Sequence, residues 1–422
     1  MERAILIYVA TTKKERDESE ESLMELTGLA GAAGAEVVGK VFQARPRLNP
    51  RWFVGTGKVE EIARLAEESA AALVIFNHNL NAAQQRNLED EIRVKVVDRT
   101  QLILDIFAQR ARTNEGKLQV ELAQLSYRLP RLRGKGLGLT QQGAGIGTRG
   151  PGEKKLEEDR RRITDRITKI KKDIDGLQKR RSSQRQSRRK SPIPTVSLVG
   201  YTSAGKSTLF NLLAEERRYT SSNLFSTLDP LLRRVSFPDG AFFFLTDTVG
   251  FIKKLPVELV TSFRATLEEV GEADCLCHVV DIASPASEHQ LGAVEAILAD
   301  LGVAGIPVVK VFNKIDLLPE SERALILKRN GDPQTQTLAI SAKTGEGISD
   351  FLRRLREVLF GGYKIYYIRV PKESREITDS LPRRSLILKK RESELFLEFK
   401  VMADPAGIIN FLPYLDQGEE PW

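Results

Sequence analysis

The chain has 422 residues, too many for one ordinary hydrophobic core, so two to four domains of roughly 100–200 residues are expected. With 41% apolar and 29% charged residues most of it folds, no apolar run approaches the ~18–20 residues of a membrane span, and two cysteines exclude a disulfide scaffold and point to the reducing cytosol. The net charge of +8 is local: residues 153–190 hold sixteen Lys/Arg against seven Asp/Glu, an excess of nine that leaves the remainder at −1.

The apolar stretch Ala4–Ala10 is short and runs into Lys13-Lys14-Glu15-Arg16-Asp17, so it reads as a first strand and not as a secretory signal. Short apolar runs at Glu36–Phe42, Ala72–Phe76 and Val94–Val97 follow, with helical patterns such as Lys58–Glu68 and Ala82–Ile92 between them. Strands alternating with amphipathic helices predict a parallel α/β layer. Gly55-Thr56-Gly57 lacks the third glycine of a dinucleotide fingerprint and reads as a tight turn, so residues 1–112 show no phosphate loop.

A helical region follows. Leu118, Leu122, Leu125, Leu129 and Leu132 are spaced four and three apart, as are Ile163, Ile167, Ile170, Ile174 and Leu177 after Leu156. Both are coiled-coil stripes, the first ended or kinked by Pro130. Residues 134–152 between them hold eight glycines, which predicts a two-helix hairpin with a flexible tip. Arg131, Arg133, Lys135, Arg149, Lys154 and Lys155 surround that tip and are the RNA-contact candidates, because glycine lets a phosphate backbone come close. The alternatives are a plain connection between core helices and, for the charge excess, a solvated helix face. Lys179–Lys190, rich in Lys, Arg and Ser and followed by Ser191-Pro192, reads as a linker.

Specific chemistry begins after Pro194. The apolar strand Thr195–Val199 enters Gly200-Tyr201-Thr202-Ser203-Ala204-Gly205-Lys206-Ser207, and Thr208–Leu213 opens a helix: the strand, loop and helix context of a phosphate loop. Loop amides and the helix N-terminus face phosphates, Lys206 reaches the β/γ oxygens and the Ser207 hydroxyl ligates Mg²⁺. Phe242–Leu245 ends at Asp247-Thr248-Val249-Gly250, where an acid can hold the Mg²⁺ shell and a glycine amide can touch the γ-phosphate. Val308–Phe312 ends at Asn313-Lys314-Ile315-Asp316, whose Asp can accept two N–H bonds from a guanine edge. Leu338–Ile340 leads to Ser341-Ala342-Lys343, whose backbone can seat the guanine oxygen. Four motifs at strand ends, in this order, predict a Mg²⁺-dependent GTPase.

These G motifs resemble those of the translation-factor-related class of P-loop GTPases. Stretches outside them resemble the HflX family: Gly57–Ile62, Asp98–Phe107, Glu115–Leu122, Gly145–Glu153, and Phe225-Ser226-Thr227-Leu228-Asp229. The resemblance implies a cytoplasmic GTPase that acts as a monomer on the large (50S) ribosomal subunit, splits stalled or idle ribosomes, and reaches 23S ribosomal RNA with the glycine-rich tip. It implies that Thr227 is the switch-one threonine closing on Mg²⁺ and the γ-phosphate, with Lys206, Thr227 and Gly250 the catalytic set. Two departures stand out. Phe251 occupies the place of a water-orienting Gln, so intrinsic hydrolysis should be slow. Ser203 replaces the Asn with which related GTPases help hold potassium.

The expected fold is multidomain α/β: an N-terminal parallel α/β domain (1–112), a two-helix arm with a basic glycine-rich loop and linker (113–190), a GTPase domain with a doubly wound, mostly parallel sheet (191–360), and a small C-terminal α+β domain (361–422). In that last part Tyr363–Val370 and Glu394–Val401 are strand-like and Gly361-Gly362 forms a hinge. Cys275 and Cys277 lie in an apolar strand and read as core, and His78 and His289 as solvated. A second functional reading is a nucleotide-gated RNA-binding or assembly scaffold in which hydrolysis is incidental.

Overall fold

The computed structural model describes residues 1–132, 151–189, 192–214, 231–248, 250–252, 270–303, 305–328 and 337–416. They fall into two compact units, the first built on Met1–Gly176 together with Ile252, the second on the other described residues from Leu177 onward.

The first unit carries a four-stranded parallel sheet of β1 (Glu2–Ala10), β2 (Ala35–Ala44), β3 (Leu73–Phe76) and β4 (Lys95–Asp98), in the order β2-β1-β3-β4. Ala4 to Ala10 are all buried, as an interior parallel strand covered on both faces requires. Helices Ser19–Ala32, Thr56–Glu68, Ala82–Ile92 and Arg99–Arg110 connect and cover the strands. The Gly55-Thr56-Gly57 stretch is not a tight turn. Gly55 caps the helix and Thr56 and Gly57 form its first turn.

Asp98 ends β4 with no solvent exposure at all. One carboxylate oxygen accepts the Gln101 amide at 2.8 Å and so caps helix Arg99–Arg110; the other accepts the Leu80 amide at 3.1 Å and Arg131 Nη2 at 3.1 Å. The Arg131 guanidinium also donates to the Leu80 carbonyl at 2.7 Å and lies 3.4 Å from the Tyr127 ring centroid. Arg131 is thus half-buried, its guanidinium engaged by Asp98, the Leu80 carbonyl and the Tyr127 ring, a correction to its reading as a cation displayed for RNA contact. Its neighbour Arg99 is buried against Asn77 and Glu25. His78 is not solvated either: it is half-buried, with Tyr8 and Phe53 ring centroids 5.3 and 5.2 Å away. His289 is exposed.

Helix Asn114–Arg128 is capped by the Thr113 hydroxyl and tightens into a 3-10 turn, Leu129–Leu132, around Pro130. Leu118, Leu122 and Leu125 meet Ile167, Ile170 and Ile174 of the helix Pro151–Arg189, and Arg166 makes a bidentate pair with Glu121 at 2.7 and 2.8 Å. The apolar stripes therefore touch over about two turns, shorter than their sequence repeat. Residues 179–189, expected as linker, continue the helix; they contain neither Gly nor Pro, and Lys, Arg and Gln are good helix formers.

The second unit holds a six-stranded sheet: β5 (Thr195–Gly200), β6 (Leu231–Ser236), β7 (Phe242–Asp247), β8 (Cys275–Asp281), β9 (Val308–Asn313) and β10 (Thr337–Ala339), ordered β10-β9-β8-β5-β7-β6. Only β6 runs antiparallel to its neighbour. β11 (Lys364–Pro371), β12 (Leu386–Glu392) and β13 (Phe396–Ala403) form an antiparallel sheet in the order β11-β13-β12, with helix Arg375–Arg384 between β11 and β12. Leu386 and Met402 join the same buried cluster as Phe351, Leu355 and Phe360 of helix Ile348–Phe360, so the two sheets share a core.

Replacing Arg131 by Met keeps the stem and removes the charge, leaving Asp98 buried without its cation. The stability of the first unit, read by urea unfolding of the full chain, should then fall by about 1–3 kcal/mol, the cost of leaving a buried acceptor short of a partner.

Candidate nucleotide site

The strand order reverses at β5: β7 lies on one side of it and β8 on the other. In an open α/β sheet this places a crevice at the carboxyl ends of these strands. The phosphate loop leaves β5 there and enters helix Lys206–Leu213, whose first amides face the loop. Gly205 has φ +96°, and a Cβ on it would strike the Asn313 carboxamide. Ser203 also takes a left-handed conformation, φ +60°, where Asn is better tolerated than most residues.

Lys206 is buried beneath the loop. Its Nζ donates to the carbonyls of Gly200 at 3.0 Å and Tyr201 at 2.8 Å. Burial lowers its pKa to about 8, and the Asp247 charge opposes that shift. The Ser207 hydroxyl donates to Asp247 Oδ2 at 2.9 Å, joining the end of β7 to the loop. Thr248 turns its hydroxyl back to the Leu198 carbonyl at 2.5 Å.

After Asp247 the chain closes onto the phosphate loop. The Thr202 amide donates to the Phe251 carbonyl at 2.7 Å and the Phe251 amide to the Gly200 carbonyl at 3.1 Å. Gly250 is trapped between them: a Cβ there would stand 2.9 Å from Thr202 Cγ2 and 3.3 Å from Lys206 Nζ. The Phe251 ring is a core ring, 2% exposed.

At the far end of the crevice, Asn313 closes β9 and is 2% exposed. Its Nδ2 donates to the Ala204 carbonyl at 2.8 Å and its Oδ1 accepts the Ala342 amide at 2.9 Å. One carboxamide thereby links the phosphate loop to the Ser341-Ala342-Lys343 loop. Lys314, left-handed at φ +70°, pairs with Asp281 at 2.6 Å. The Ser341 hydroxyl donates to Asp316 Oδ1 at 2.7 Å and accepts the Thr344 amide at 3.1 Å, which fixes the Asp316 carboxylate. Ile315 is buried and Lys343 exposed.

The structure thus brings Gly200 to Thr208, Asp247, Thr248, Gly250, Asn313 to Asp316 and Ser341 to Lys343 to one edge of one sheet. Phe225 to Asp229, including Thr227, and Val249 lie outside the described residues, as do Arg133, Lys135, Arg149 and the side chains of Lys154 and Lys155. The backbone tie between Thr202 and Phe251 has no sequence signature; the bridging role of Asn313 has one, its place at a strand end before Lys314-Ile315-Asp316. Cys275 and Cys277 lie in the core, where burial pushes the Cys275 thiol up to about 12 and the Cys277 thiol well above its ordinary value. Burial holds His278 neutral, its pKa lowered to about 4. No group of three or more His, Cys, Asp or Glu side chains suited to a metal occurs among the described residues.

A mostly parallel sheet with a phosphate loop at its switch point, and Asn-Lys-x-Asp and Ser-Ala-Lys segments at neighbouring strand ends, is the G domain of a P-loop GTPase. Residues 20–108 match the family described as GTP-binding GTPase N-terminal, residues 110–188 its middle region, and residues 195–314 the 50S ribosome-binding GTPase family. GTPase HflX of Caldanaerobacter subterraneus is 46% identical over 399 residues, covering 94% of this chain and 90% of that protein. GTPase HflX of Escherichia coli K12 is 44% identical over 370 residues, covering 88% and 86%. A GTP-binding protein from the archaeon Sulfolobus solfataricus, solved with GDP, is 23% identical with a TM-score of 0.46, covering 85% of this chain and 99% of that one. The chain belongs to the HflX family of GTPases, a ribosome-binding family. Among the described residues no helix is long and apolar enough to cross a membrane.

Asn313→Ala removes both ties between the two loops and leaves buried partners unmet. GTP affinity, read by titration with a fluorescent analogue, should fall by about 2–3 kcal/mol, roughly 30- to 150-fold.

Proposed function

We propose that this GTPase uses its nucleotide state to control its hold on the large ribosomal subunit and so splits stalled or idle ribosomes in the cytoplasm, acting there as a monomer. The observation that carries the reading is the joining of two devices in one chain. One is a GTP crevice whose two loops are tied by Asn313. The other is a pair of helices whose apolar seam, Leu118, Leu122 and Leu125 against Ile167, Ile170 and Ile174, brackets the basic glycine-rich stretch 133–150. The match of residues 195–314 to 50S ribosome-binding GTPases supports the large subunit as partner, and the basic stretch would meet its 23S ribosomal RNA.

Within the crevice, Lys206 and the loop amides bind the β- and γ-phosphates, and Gly250 lets the chain come close to the γ-phosphate. The Asp316 carboxylate, oriented by Ser341, accepts from the guanine edge, and the Ser341-Ala342-Lys343 backbone seats the guanine oxygen. The donor set fits magnesium: the Ser207 hydroxyl and the Asp247 carboxylate are hard oxygens 2.9 Å apart, and a site with one carboxylate suits an ion that also takes phosphate and water oxygens. Thr227 is the third candidate ligand. Bound there, Mg²⁺ would neutralise charge on the phosphate oxygens.

Buried Phe251 offers no polar group to orient the attacking water, so intrinsic turnover is slow and a group outside this crevice completes it. The same observation favours the second reading, a nucleotide-gated RNA-binding scaffold. Single-turnover GTP hydrolysis with and without large subunits separates them: acceleration of less than a few-fold sinks the splitting enzyme.

Two further outcomes are expected. Asp316→Asn replaces an acceptor by a donor, so GTP affinity should drop by about 2–4 kcal/mol with preference shifting toward xanthine nucleotides; an unchanged titration removes Asp316 from the site. Replacing Gly143–Gly152 by a neutral linker should leave GTP affinity within about two-fold, since no G motif is touched, yet impair splitting and make the salt dependence of subunit binding shallower. Splitting at the parent rate would reduce the arm to a connector.

A further inference from the structure

Thr202, in the phosphate loop, is 6% exposed, and its hydroxyl oxygen is buried with no hydrogen-bond partner among the described residues. Its neighbours do not share this condition: Ser203 is exposed, and Ala204 is buried and apolar. An unpaired hydroxyl in a buried place costs stability, and alanine or valine would fill the place without that cost. The loop backbone does not account for the choice of residue, because the Thr202 amide donates to the Phe251 carbonyl at 2.7 Å whatever side chain it carries. The hydroxyl is accounted for by a partner that comes from outside the chain.

The surroundings identify that partner. A Cβ built on Gly250 would stand 2.9 Å from Thr202 Cγ2, 3.1 Å from Thr202 Cα and 3.3 Å from Lys206 Nζ. The Thr202 side chain, Gly250 and the Lys206 ammonium therefore converge on one point of the crevice. The hydroxyl shares its Cβ with the methyl that faces Gly250, and one step between staggered χ1 wells brings it to the place of that methyl. In the GTP-binding reading, on which this inference rests, Lys206 and Gly250 meet at the γ-phosphate. A hydroxyl there has a charged acceptor in a triphosphate and none in a diphosphate, and a hydrogen bond to an ionised oxygen is stronger than one between neutral groups.

We propose that the Thr202 hydroxyl donates to a γ-phosphate oxygen and is a residue by which this crevice tells GTP from GDP. The test uses the full chain with Mg²⁺ present and titrates fluorescent forms of GDP and of a GTP analogue whose β–γ bridge is an imide and does not hydrolyse. Thr202→Val should weaken the analogue at least roughly ten-fold, the worth of one hydrogen bond to a charged group, and leave GDP within about two-fold. Thr202→Ser keeps the hydroxyl and should restore the parent ratio of the two affinities. Without nucleotide, the melting temperature of Thr202→Val should hold or rise, because a buried unpaired hydroxyl is gone. Where the second methyl of valine disturbs the loop, Thr202→Ala read against Thr202→Ser decides the same ratio. The proposal is overturned by the parent ratio in Thr202→Val or Thr202→Ala, by an equal loss of both nucleotides, by a loss that serine does not rescue, or by a lower melting temperature in both variants, which would mean that the protein already engages the hydroxyl. An unchanged ratio with slowed hydrolysis would make the hydroxyl a ligand of the attacking water and overturns it too. Lys206→Ala is read separately: parent affinity for both nucleotides would move them out of this crevice and defeat the GTP-site reading, while lost affinity there with an unchanged Thr202 ratio defeats this inference alone.

Discussion

The nucleotide crevice depends on one carboxamide. Asn313 donates to the phosphate loop at Ala204 and accepts from the base loop at Ala342, so two segments 138 residues apart in sequence, Ala204 and Ala342, are set by a single buried side chain. The requirement for glycine at position 205 follows, because the carboxamide occupies the space a Cβ would need. So does the placement of Asp316, which is oriented by Ser341, the residue beside Ala342. A buried amide with both ends satisfied is rigid, and rigidity here means that phosphate and base positions are preset relative to each other.

The sequence made the crevice legible because its chemistry is local. Each motif is a short segment at the end of an apolar strand, and alternation of strands and helices orders the strand ends along one edge. The parts that were misread depend on partners distant in sequence. Arg131 looks like a free cation beside a glycine-rich tip until Asp98, thirty-three residues earlier, is seen beneath it. His78 looks solvated until Tyr8 and Phe53 close around it. Residues 179–189 look like a linker because charge and serine mask a sequence with nothing to break a helix. β12 has no strand signal of its own in sequence: Lys389-Lys390-Arg391 is unbroken charge, although alternate residues of it point to opposite faces of a sheet.

Charge in this chain is therefore used in three distinct ways. Arg99, buried, and Arg131, half-buried, hold the first unit together through Asn77, Glu25 and Asp98. Lys206 is buried under the phosphate loop, where desolvation has already weakened its hold on its proton and an arriving triphosphate would restore it. The excess of Lys and Arg over Asp and Glu in residues 153–190 accounts for the net charge of the whole.

The shared core of the second unit has a practical meaning. Leu386 and Met402 are sealed against Phe351, Leu355 and Phe360, so the C-terminal sheet is a wall of the GTPase domain and not an appendage. A fragment ending near Gly361 would carry its wound on the surface: an apolar patch stripped of its cover, prone to self-association and set at the back of the same sheet whose front edge holds the nucleotide. Catalytic constants measured on such a fragment would describe a damaged domain.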